Sequence, residues 1–189
     1  VHYVQLPPLT GQGSPFKALF SEILFNFPLK TLAQRVQHRY RQNPMGLFNT
    51  THGSLYTSLI LQLLFLTAIQ TTGSITAEKW LKGEKVTARE MSELQIGGRT
   101  ISAPGYPKST QECKNVLSSL VDIAVNFPEH GKGQCVLLLD EFQRIGELGD
   151  RKMREVCDAI HLIYNSNPHG LRMMLAFATG SEESLPYFI

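Results

Sequence analysis

Several things are scarce in this sequence, and each shortage removes a class of protein. Cys113, Cys135 and Cys157 are its only cysteines. They form no CxxC pair, and neither His130 nor His161 stands at a metal-ligand spacing from them. A zinc ribbon or a disulfide-stapled fold is therefore not indicated, and reduced thiols of an intracellular, cytoplasmic protein are expected. Long apolar runs are missing as well. The longest, residues 59–69, is too short to span a bilayer and is interrupted by Gln62 and Thr67, so no membrane partner is expected. No secretory leader precedes the first strand. The chain begins at Val1, already within that strand, which is the expectation for a piece of a longer protein. A net charge of +2 is too small to indicate nucleic acid by itself, so any basic surface has to be local.

What is present suits one folded domain. In 189 residues, 42% hydrophobic and 18% charged, there is room for a substantial core and too much apolar content for disorder. Residues 1–6 (VHYVQL) are β-type and stop at Pro7 and Pro8, which predicts a strand. Ser14 before Pro15 is a helix start, a cap followed by proline in the first turn. Phe16, Leu19, Phe20, Ile23, Leu24 and Phe27 then form a helical stripe that Pro28 breaks. A second helix is expected over 29–41, and a helix apolar on all sides, hence buried, over 54–70. Two short helices follow, 77–82 and 88–95, the latter opened by the capping box Thr87-x-x-Glu90. Ser109-x-x-Glu112 caps another, running to about residue 127.

Beyond that helix the pattern changes. Residues 134–139 (QCVLLL) are a continuous apolar run, as in a strand buried on both faces of a parallel sheet. A helix over 150–165 carries Met153, Val156, Ile160 and Ile163 on one face. After Pro168-His169-Gly170 a second buried strand is expected over 172–178 (RMMLAFA). Strand, helix and strand in this order predict a right-handed parallel crossover.

Chemistry concentrates at the end of the first of these two strands. Val136-Leu137-Leu138-Leu139-Asp140-Glu141 is an apolar run closed by two acids, the Walker B pattern of P-loop ATPases. A strand delivers such acids to the carboxyl edge of the sheet, where α/β folds bind ligands. Asp140 there suits Mg²⁺ held through water, and Glu141 suits polarising the water that attacks the γ-phosphate of ATP. The plainer reading is a strand that ends in two solvated acids. Thr179 and Ser181, after the next strand, stand where these ATPases keep a γ-phosphate sensor, and either one would serve; a turn cap is the plainer role. The phosphate cradle itself is missing. No GxxxxGK followed by Ser or Thr occurs, Gly11 and Gly13 stand at the wrong spacing before Pro15, and Gly131-Lys132-Gly133 precedes a strand.

The chain resembles the ATP-binding proteins of BREX-type phage-defence clusters. The landmarks are Leu9-Thr10-Gly11-Gln12-Gly13, then Ala18-Leu19-Phe20-Ser21-Glu22-Ile23, Trp80-Leu81-Lys82-Gly83-Glu84, Arg89-Glu90-x-x-x-Leu94 and the Walker B run. The resemblance implies an AAA+ or related ATPase core serving a DNA-associated defence or restriction system, with protein partners or self-association. It implies the fold class as well: an α/β, three-layer P-loop domain of which residues 1–189 hold core strands 2, 3 and 4, with a helical insertion over about 28–110. In the implied strand order 5-1-4-3-2 those three strands are contiguous, with strand 4 at an exposed edge.

Three other groups of residues invite a role. Lys30, Arg35, His38, Arg39 and Arg41, with Tyr40 nearby, make the second helix basic. It is either a solvated face or a DNA-phosphate contact. Arg144, Arg151, Arg154 and Arg172 are candidates for an arginine finger, with surface residues as the alternative. Trp80 is expected in packing, and no GxSxG elbow accompanies Ser181 and His161.

Overall fold

Alternating side chains on three short strands decide the architecture. The computed structural model describes residues 2–7, 14–43, 55–103, 107, 109–127 and 133–177. Strands β1 (His2–Gln5), β4 (Cys135–Asp140) and β5 (Leu171–Leu175) form a parallel sheet in the order β1-β4-β5. Register places Gln5 beside Asp140 and Leu138 beside Met174. The molecule is thus α/β, with its acid-bearing strand central.

Helices α1 (Pro15–Asn26), α6 (Thr110–Asn126) and α7 (Asp150–Ser166) pack against one another, and respectively against β1, β4 and β5. Val4, Leu6, Cys135, Leu137, Leu139 and Leu171 are buried beneath them. Each such side chain contributes about 1.5–3 kcal/mol of burial. The remaining helices are α2 (Leu29–Gln42), α3 (Leu55–Ile69), α4 (Ser74–Leu81) and the one-turn α5 (Ala88–Met91). α3 is buried from Leu59 to Leu66 apart from Gln62, and it packs against α2, α4 and α6, as its all-round apolarity requires. Tyr40 and Phe65, with ring centroids 4.4 Å apart, join α2 to α3. Trp80 is buried in this helical part.

Both expected capping boxes form, Thr87 with Glu90 and Ser109 with Glu112. Four expectations need correction. The helix placed over 88–95 stops at Met91, and the chain enters a hairpin of β2 (Gln95–Ile96) and β3 (Arg99–Thr100). Gly97 and Gly98 both have positive φ, 58° and 75°, which is the two-residue turn that matches strand twist and that only glycine adopts freely. The helix placed over 77–82 begins at Ser74.

Ser14 occupies the cap position of α1, but its hydroxyl donates to Glu155 at 2.9 Å rather than capping. Finally, β5 is not a buried strand. Arg172, Met174 and Leu175 are exposed, because among the described residues β5 is the sheet edge, paired only with β4.

Candidate active site at the carboxyl edge of the sheet

β4 delivers Asp140 to the end of the sheet, and the backbone then reverses abruptly. Glu141 lies in the left-handed region (φ 55°, ψ 36°), a conformation costing a non-glycine residue on the order of 1 kcal/mol. Its neighbour Phe142 opens the 3₁₀ segment Phe142–Glu147, is buried, and meets Phe177 edge-on at 5.5 Å. The Phe142 amide donates to the Ala176 carbonyl at 2.9 Å, which extends the β4–β5 ladder past the strand ends. Phe142 is seated in the core next to the turn at Glu141, and both carboxylates find partners on β1.

β1 supplies the polar partners. The Tyr3 hydroxyl donates to Asp140 Oδ2, and the Glu141 amide donates to Asp140 Oδ1 at 2.8 Å. The Tyr3 bond, and after it the Glu141 amide, hold the Asp140 carboxyl below the usual carboxylate range. The same bond raises the Tyr3 phenol, so the pair is settled as carboxylate and neutral phenol. Gln5 Nε2 donates to Glu141 Oε1 at 2.7 Å. Arg144 forms an ion pair with Glu141 Oε2 and also donates to the Leu6 carbonyl, tying the exit of β1 to the exit of β4.

Asp140 and Glu141, neighbours in the chain, stand at the carboxyl end of β4. Thr179 and Ser181 lie outside the described residues, as do Gly11, Gly13, Gly131 and Lys132. Of the arginines, Arg144 is engaged with its own chain's Glu141. Arg151 and Arg154 line an open depression of about 560 Å³ on α7, with Asp150, Glu155 and Asp158. Arg172 donates to the carbonyls of Pro168 and Leu171.

Tyr3 and Gln5 went unassigned in the sequence reading. Their signal was two polar residues at alternate positions of a strand expected beside the acid-bearing one. Glu155 was missed too: it accepts from Ser14 and, at 2.7 Å, from Thr110, tying the starts of α1 and α6 to α7.

Among the described residues no group of three or more His, Cys, Asp or Glu side chains could hold an ion. Comparison with protein-family models, with curated proteins and with solved structures finds no match for this chain.

Proposed function

We propose that this chain is the metal- and water-handling part of a P-loop ATPase of AAA+ type, acting in a DNA-associated defence or restriction system with protein partners or self-association. The observation that carries the reading is the Asp140–Glu141 pair at the carboxyl end of the central parallel strand, with Asp140 held ionised by Tyr3. The order β1-β4-β5 supports it, since core strands 2, 3 and 4 are neighbours in such a domain.

In this reading Asp140 would hold Mg²⁺, which would supply charge neutralisation for the ATP phosphates. Glu141 accepts a proton from the attacking water while the water oxygen bonds to the γ-phosphorus and ADP leaves. With both oxygens of Glu141 engaged by Gln5 and Arg144, it orients water poorly, so substrate has to draw at least one donor away. Thr179 or Ser181 would sense the γ-phosphate.

ATP turnover in a protein that carries this chain together with a phosphate-binding loop tests the reading. Glu141→Gln should cut kcat by about 10²-fold or more while ATP binding persists. Undiminished turnover would refute the assignment of the base. A second reading, an ATPase-fold scaffold without catalysis, draws on the engagement of Glu141 by Arg144. It predicts that Glu141→Gln leaves partner assembly intact and has no turnover to lose.

A further inference from the structure

Charge in this molecule is unevenly spread. From Ile23 to Ala77 the sequence contains no aspartate or glutamate, while Lys30, Arg35, Arg39 and Arg41 all fall on α2 together with His38. The apolar side of α2, with Leu29, Leu32, Ala33 and Val36, is buried, and the helix packs against α3, which carries no charge at all. At 100° per residue, Lys30, Gln34, His38 and Arg41 form a strip on the opposite side, and all four are exposed, as is Arg39 on a flank. At ~1.5 Å rise per residue the strip is about 16 Å long.

The acids that follow this stretch are engaged elsewhere, Glu78 with Lys82 at 2.7 Å and Glu90 with Lys79 at 2.6 Å. Lys30, Arg39 and Arg41 form no ion pair among the described residues.

We propose that α2 is a docking surface for duplex DNA, with Lys30, Arg39 and Arg41 on backbone phosphates and Gln34 and His38 facing the groove. Charge complementarity selects a polyanion. The strip offers no apolar side chain to enter lipid, because the apolar side of α2 is committed to the core. The B-form major groove admits an α-helix, whereas the A-form groove of duplex RNA is too narrow for one. The surface lies apart from the Asp140–Glu141 pair, and the inference does not depend on the ATPase reading.

Fluorescence anisotropy of a labelled mixed-sequence DNA duplex, titrated with the 189-residue chain at several salt concentrations, tests it. Three phosphate contacts predict a slope of log K against log salt of about −3. The combined variant Lys30→Gln, Arg39→Gln, Arg41→Gln should lose at least about tenfold in affinity and most of that slope. Lys85→Gln, Arg89→Gln, Lys152→Gln together remove the same charge elsewhere and should bind within about threefold of the parent. The proposal is overturned by no binding at low salt, by equal losses in the two variants, or by tighter binding to duplex RNA or anionic vesicles. Should the α2 variant melt early, the parent slope decides: flatter than about −2 rejects the proposal and steeper supports it.

Discussion

The two faces of the central strand differ far more than its residues do. Leu137 and Leu139 are buried beneath helices, whereas Val136 and Leu138, chemically their equals, are only half-buried. Beside them Tyr3 is 55% exposed and Met174 62%. Topology accounts for the difference. Each new strand joins the sheet on the same side, and right-handed crossovers in one direction place the helices that pack on it, α1, α6 and α7, on one face. Composition reported that the strand was apolar; connectivity decided which half of it would be covered. The open face is also where Tyr3 and Gln5 point, beside Asp140, so the uncovered side carries the chemistry.

The largest effect that sharpens this contrast is in stability. Leu139→Ala should cost about 2–5 kcal/mol, and Leu138→Ala about 1 kcal/mol or less, by urea denaturation. Equal costs would mean that the outer face is covered in solution.

Next is the Asp140 carboxyl. Tyr3→Phe should move its titration, followed by carboxyl NMR, up toward the ordinary range, and an unmoved titration would break the link between β1 and the site.

A smaller effect contrasts this pair with one far from the sheet. Lys79, and then Thr87, lower Glu90 from 4.5 to about 2. A lowered folded-state pKa contributes stability above the unfolded value, and that stability is lost as pH falls through the lowered one. Glu90→Gln should therefore lower stability at neutral pH and flatten the acid limb between about pH 4.5 and 2, where the parent loses the same contribution. A limb as steep as the parent's would mean that the bond to Lys79 does not persist in solution.

Local signals in the sequence were the ones that could be read. The Thr87–Glu90 and Ser109–Glu112 boxes close within one helical turn, and the all-round apolarity of α3 needs no partner to be recognised. Val136 to Asp140 announced a strand, and the two acids at its end announced a site. Contacts between distant segments could not be read. Tyr3 meets Asp140 across 137 residues, and Ser14 meets Glu155 across 141, so each pairing depends on a register fixed only by the assembled sheet and its helices. Gly97-Gly98 is a local hairpin-turn signal that lies just past the helix expected over 88–95. β5 was over-read because an apolar run says nothing of whether a strand lies at the edge.

Metal binding at Asp140 tests the central claim most directly. Mn²⁺, standing in for Mg²⁺ and followed by its electron paramagnetic resonance signal, should bind this chain saturably. The binding should be lost in Asp140→Asn and kept in Glu90→Gln. Binding that is absent from the parent, or unchanged in Asp140→Asn, would contradict the account and leave the two acids as a solvated turn.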